Sequence, residues 1–388
     1  KTKRIEGFYR RKLIYNMAKK EKSEEVIGDV SIKQLDAYLK ANKKDHLNYD
    51  DQVDWIASTG SLLFDAELGG GFKPGAYKII GASFSGKTNS VLQCFKNAFE
   101  TVPNSKGLWV KAEGRLDKEV QERSGVKFVY KAEDWVMGTC FVLETNIFEL
   151  VTDLVNNLVK NNPTEIRYIM AIDSMDGLIR RADMEKDADE GERVGGGAML
   201  TSVMFKKVNL VLNKKGHVLF MIHQLRAKIE TNQYAPKDQN KSVGGGGGNA
   251  GVHSSNQVWN FKGRTKTANI EEKGKIVGHY CVIDLSKGVK EKIDIRVQYP
   301  VKHGMKGGKS VWLEKEIADL LVQWELVEKG GSWLSFSNDL ITDLRSAGFT
   351  IEDNFKVQGD AKLKDWLEQN PEIVDFLYKK FLKMFTEE

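Results

Sequence analysis

Residues 76–90 read AYKIIGASFSGKTNS. A short, mostly apolar run is followed by a loop that opens on Gly81 and closes on Gly86-Lys87-Thr88. Beyond it Val91, Phe95 and Phe99 fall on one helical face, so the stretch predicts a strand, a phosphate-binding loop and a helix in succession. Gly81, Gly86, Lys87 and Thr88 satisfy the G-x-x-x-x-G-K-[ST] spacing. Glycine lets backbone N–H groups turn toward phosphate oxygens, and the helix N-terminus adds positive potential. Lys87 reaches the outer phosphates, and Thr88 offers a hydroxyl to Mg²⁺. With Ser83, Ser85 and Asn89 in the same loop and first turn, this is the expected cradle for a polyphosphate.

Outward from the loop, the pattern repeats. GLWVKAE, RYIMAIDS and HVLFMIHQ are short apolar runs, separated by segments with helical periodicity around residues 147–158 and 199–212. Buried strands alternating with amphipathic helices predict an α/β fold, a mostly parallel twisted sheet with helices on both faces. Ligands in such sheets bind outside the carboxyl ends of the strands, where this chain has three polar residues. Asp173 ends YIMAID and is a candidate Mg²⁺ carboxylate; Glu113 ends GLWVKAE and is a candidate base for an attacking water; Gln224 ends HVLFMIHQ and carries an amide able to sense a γ-phosphate. His223, on the other face of its strand, is expected to be packed.

Composition bounds the rest. Residues 1–22 hold nine Lys or Arg against two Glu, a local surplus of seven that exceeds the whole-chain net charge of +5. The remainder is therefore slightly acidic, and any nucleic-acid site must be a local patch. Met17 in MAKKEKSEEV reads as a natural start, which would make residues 1–16 upstream sequence. The three cysteines, Cys94, Cys140 and Cys281, are far apart and lack metal-type spacing, as expected in a reducing cytoplasm. No apolar run approaches the roughly 20 residues that span a bilayer. We expect a basic tail and oligomerisation helix over residues 1–50, the helix starting near Val30 behind a Ser31 cap. A nucleotide-binding core over 51–305 and a small C-terminal α/β domain over 306–388 would follow. Two long glycine-bearing loops, at about 180–197 and 227–250, leave the core next to strand ends, where long loops carry function.

These residues resemble the RecA family of homologous-recombination ATPases, its bacterial and bacteriophage members above all. The likeness runs through IASTGSLLFDAELGGGFKPGAYKIIG, the phosphate loop, KAEGRLDKEV, MAIDSMDGL, FMIHQLRAKI and GGGNAGVHSSNQVWNFKGR. It extends to EIADLLVQWELVEKGGSWLSF and LKDWLEQNPEIVDFL near the C-terminus. The resemblance implies a DNA-dependent ATPase that forms a helical filament on single-stranded DNA and pairs it with double-stranded DNA, aided by single-strand-binding and loader proteins. Glu113 would activate water, Asp117 would lie by the adenine, Asp173 and Ser174 would manage Mg²⁺, and Gln224 would link the γ-phosphate to the following loop. Arg226 and Lys228 match DNA-backbone contacts. In the two loops Arg193, Lys237 and Lys241 would meet phosphates and Tyr234 would stack on bases. Two departures stand out. Val120 occupies the place of an aromatic over the adenine. Of two cations that the family supplies from the adjacent subunit, only Lys287 matches, Leu285 filling the other place. Two other readings share the phosphate loop: a ring helicase or motor, and a DNA-coating protein regulated by ATP without turnover.

Overall fold

All seven residues of strand β1 (Gly75–Gly81) are buried, the mark of a strand covered on both faces. The computed structural model describes residues 30–113, 116–162, 165–184, 196–225, 254–287 and 295–386. By internal contacts the chain divides into residues 1–51 and residues 52–388. In the first unit, residues 30–41 form helix α1. Ser31 lies inside this helix and not at its cap, and Val30, Ile32, Leu35 and Tyr38 are exposed on it.

In the second unit the strands are β1, β2 (Ser105–Lys111), β3 (Lys127–Val129), β4 (Thr139–Glu144), β5 (Arg167–Asp173), β6 (Val218–Gln224), β7 (Gln257–Phe261), β8 (Asn269–Glu272), β9 (Lys275–Lys287) and β10 (Ile295–Lys302). They form one sheet in the order β10-β9-β7-β1-β6-β5-β2-β4-β3, with β8 beside β9. Every pairing from β7 across to β3 is parallel. Strand β9 runs antiparallel to β7, β8 and β10. Helix α2 (Leu62–Glu67) precedes β1, and helices α3 (Lys87–Thr101), α4 (Lys118–Ser124), α5 (Phe148–Lys160), α6 (Arg181–Met184) and α7 (Gly196–Lys215) lie between the strands in sequence.

The period of two along the strands divides the core. Tyr77, Ile79, Trp109, Ile169, Ala171, Phe220 and Ile222 pack with Val91, Phe95 and Ala98 of α3. Their neighbours Ile80, Leu108, Val110, Met170, Ile172, Leu219 and Met221 are buried on the opposite face, the side of α7. The three cysteines are free and buried.

Beyond β10 the expected helices α8 (Leu313–Gln323), α9 (Asn338–Ser346), α10 (Gly359–Gln369) and α11 (Pro371–Thr386) enclose a three-stranded antiparallel sheet of β11 (Val327–Gly330), β12 (Trp333–Phe336) and β13 (Lys356–Gln358). Leu321, Leu334, Leu344, Leu363, Leu367 and Phe381 form its apolar centre, and Leu62 of α2 belongs to the same cluster. The attachment is polar as well. Glu316 accepts hydrogen bonds from the Ser61 hydroxyl at 2.7 Å and from the Leu62 and Leu63 amides at 3.0 Å, capping α2 from a segment some 250 residues away in sequence. Tyr378 donates its hydroxyl to Asp65 at 2.6 Å. Burial pushes Glu316 up to about 7 and Asp65 up to about 6.

Candidate nucleotide site

The phosphate loop leaves β1 at Gly81, where a Cβ would stand 2.6 Å from the Phe261 carbonyl oxygen and 2.8 Å from Ser85 Oγ. Only glycine fits so close to the neighbouring strand. Gly86, with φ of 100°, turns the chain into α3. Lys87 is buried, and its Nζ donates to the carbonyls of Gly81 and Ala82 at 2.7 Å each, so the ammonium is folded back over the loop. Ser85 is buried and bonds the Ala82 carbonyl, Ser83 is exposed, and Phe84 stands 90% exposed at the loop's tip with φ of 61°.

Three strand ends converge on this loop. Thr88 Oγ1 donates to Asp173 Oδ2 at 2.9 Å. Glu113, two residues past the end of β2 and not on the strand itself, accepts from Ser174 Oγ and from Gln224 Nε2, both at 2.7 Å. The Gln224 backbone N–H in turn donates to Asp176 Oδ2 at 2.7 Å. Gly177 leaves room for the glutamate: a Cβ there would lie 2.9 Å from Glu113 Cγ. Thr88 and Asp173 present a hydroxyl and a carboxylate, the hard oxygen donors that suit Mg²⁺ shared with phosphates. Among the described residues no group of three or more His, Cys, Asp and Glu gathers at metal-binding spacing.

A cavity of about 670 Å³ opens beside the loop, lined by Gly86, Thr88, Asn89, Asp117 and Val120 among the positions foreseen from sequence. Asp117 caps α4 by accepting the Val120 amide at 2.8 Å. Arg123, Arg264, His279 and Tyr299 also line the cavity and were not foreseen. Nothing in their local pattern marks them, because α4, the segment after β7, β9 and β10 meet at the cavity only in the folded chain. Asp176 was missed for the same reason.

His223 is packed, as expected from its strand face: it is fully buried, and neither ring nitrogen finds a hydrogen-bond partner among the described residues. Burial and the nearby Lys78 ammonium push it down to about 3, so it is neutral at pH 7. Leu285 is 1% exposed and packs into the main core cluster, so its position offers no cation to a neighbouring surface. Lys287 ends β9. Arg193, Arg226, Lys228, Tyr234, Lys237 and Lys241 lie outside the described residues. Among those described, no helix is long and apolar enough to cross a membrane.

The chain is similar in sequence to known proteins over most of its length. A family model described as the RecA N-terminal domain matches residues 29–299. Protein RecA of Mesoplasma florum is 24% identical over 354 residues, covering 90% of this chain and 92% of the relative. Protein RecA of Pseudomonas savastanoi pv. phaseolicola is 25% identical over 335 residues, covering 86% and 82%. A solved chain described as the RadB recombinase superposes with a TM-score of 0.42 at 15% identity, over 63% of this chain and 96% of that one, a similarity too distant to build on. The match of the RecA N-terminal domain across most of the chain, on a sheet whose strand ends gather around a phosphate loop, makes this protein a member of the RecA family.

Proposed function

We propose that the chain is an ATP-dependent DNA recombinase that assembles as a helical filament on single-stranded DNA and pairs it with homologous duplex, hydrolysing ATP in a DNA-dependent way. One observation carries this reading: Glu113 and Gln224 are joined by a 2.7 Å hydrogen bond at the mouth of the phosphate loop, and Gln224 is the last residue of β6 before the segment that holds Arg226 and Lys228.

In this reading the loop amides and Lys87 bind the triphosphate. Bound Mg²⁺, held by Thr88 and Asp173, would neutralise developing phosphate charge. Glu113, oriented by Ser174 and Gln224, takes the proton of the attacking water. Gln224 reports the γ-phosphate by exchanging its bond to Glu113 for one to phosphate. A change at its side chain moves a backbone two residues from Arg226, which orders or releases the DNA-contacting segment. Arg193, Arg226, Lys228, Lys237 and Lys241 meet DNA phosphates, and Tyr234 meets bases. Lys287 reaches across to the next subunit's nucleotide. The division at about residues 50 and 305 into oligomerisation helix, ATPase core and C-terminal domain belongs to the same proposal, as do single-strand-binding and loader partners.

The test is strand invasion: supercoiled duplex with a homologous oligonucleotide, with and without ATP. Joint molecules that require ATP and vanish in Lys87→Ala support the reading, whereas unwinding of a forked duplex without pairing refutes it. The buried Leu285 favours one second reading, an ATP-regulated DNA-coating protein without turnover. Phosphate release stimulated by single-stranded DNA excludes that alternative.

A further inference from the structure

The cavity beside the phosphate loop has a phosphate end at Gly86, Thr88 and Asn89 and a far end between α4 and the strands β9 and β10. A nucleotide held at the near end places its base at the far end, and a base needs a flat, weakly hydrated surface to lie on. Most of the walls there do not supply one. Val120, Val301 and Val311 are aliphatic, and the His279 ring is tied to that of His303, Nδ1 to Nε2 at 2.9 Å. Tyr299 is 2% exposed, and its hydroxyl is 2.6 Å from Ser90 Oγ, so the ring forms floor and not platform. Phe84 belongs to the phosphate loop itself.

Two guanidiniums line the cavity. Arg264 is pinned, its Nε and Nη2 both donating to Asn269 Oδ1 at 3.3 and 2.9 Å. Arg123 differs. It lies one helical turn beyond Val120, on the same face of α4. Its Nε is buried without a hydrogen-bond partner among the described residues, and Glu119 Oε1 comes only to 4.0 Å from its Nη1. The backbone beneath it is fixed, since the Arg123 carbonyl accepts the Gly308 amide at 2.9 Å. A guanidinium without a close carboxylate, at the rim of a cavity wide enough for a nucleotide, is suited to lie flat on an aromatic ring, where the ring's π face replaces the missing anion.

Building on the reading of this cavity as an ATP site, we propose that Arg123 is the base-binding residue, its guanidinium plane stacking on the purine where Val120 offers no ring. The nucleotide then has two separable anchors: the phosphates on the loop around Lys87, and the base between Arg123 and the aliphatic wall of Val301 and Val311.

The two anchors are separated by titrating the full chain, without DNA, with ATP and with inorganic tripolyphosphate, which carries the phosphates and no base. Arg123→Ala is expected to weaken ATP about tenfold while leaving tripolyphosphate within about twofold, the scale of one desolvated cation–π contact. Arg123→Tyr, which restores a plane without charge, is expected to recover most of the ATP affinity. Arg123→Lys, which keeps charge without a plane, is expected to behave like alanine. Equal loss of ATP and tripolyphosphate in Arg123→Ala, or ATP affinity unchanged in it, overturns the inference while leaving the nucleotide site standing. A wild-type chain that binds neither ligand removes the nucleotide reading and this inference together.

Discussion

Asp176→Ala tests whether the carboxylate that holds Gln224 transmits the state of the nucleotide toward residues 226–250. The Asp176 side chain is only 7% exposed and accepts the Gln224 amide at 2.7 Å. Truncation leaves that N–H inside without a strong acceptor, a loss of about 2 kcal/mol within the usual range for an orphaned buried donor. Lys78, buried on β1, is lowered by burial, with Asp176 opposing. His223, 3.9 Å from Asp176, is neutral. About 2 kcal/mol is roughly a 30-fold change in the population of the ordered junction. ATP affinity should stay within about threefold, because the phosphate loop is untouched, while the DNA-stimulated part of hydrolysis falls about 30-fold. Asp176→Asn, whose amide oxygen still accepts from Gln224, should keep most of the stimulation. Steady-state phosphate release with and without single-stranded DNA, alongside a nucleotide titration, reads both quantities. Full DNA stimulation in Asp176→Ala would refute the reasoning.

Other variants probe the remaining joints. Lys87→Ala removes the ammonium now bound to the Gly81 and Ala82 carbonyls and should weaken ATP on the order of 100-fold, seen by titration and as loss of extended filaments in electron microscopy. Gly177→Ala drives a Cβ to 2.9 Å from Glu113 Cγ and 3.1 Å from the Ala112 carbonyl oxygen. It should lower the hydrolysis rate at saturating ATP by about tenfold or more with binding unchanged, as a displaced base requires. Glu316, raised to about 7 by burial from an ordinary 4.5, favours folding most when protonated. Its contribution is full below pH 4.5 and is lost as pH rises through about 7, with a slope of at most about 1.4 kcal/mol per pH unit. Thermal unfolding followed from pH 4.5 to 7.5 should show this decline flattened in Glu316→Gln, and an unchanged profile would show that the carboxyl is ionised throughout.

The sequence made the ends of the strands legible and left their order hidden. Asp173 and Gln224 stand at strand ends as expected, because an apolar run stopped by a polar residue reports where burial stops. Glu113 falls two residues beyond its strand, since hydrophobicity alone does not fix where pairing with β5 ceases. What no local pattern carries is the neighbour order β1-β6-β5-β2. That order sets the phosphate loop, Gln224, Asp173 and Glu113 at or just beyond the ends of four consecutive strands, and it alone brings Gln224 within hydrogen-bond reach of a glutamate 111 residues away. Arg123 and Asp176 escaped notice for a related reason. Each takes its role from what the fold sets opposite it, a cavity wall on β10 for one and the last amide of β6 for the other. Chemistry at the phosphate loop therefore reaches Gln224 by one sheet spacing, because β6 lies between the loop-bearing strand and the strand that ends in Asp173.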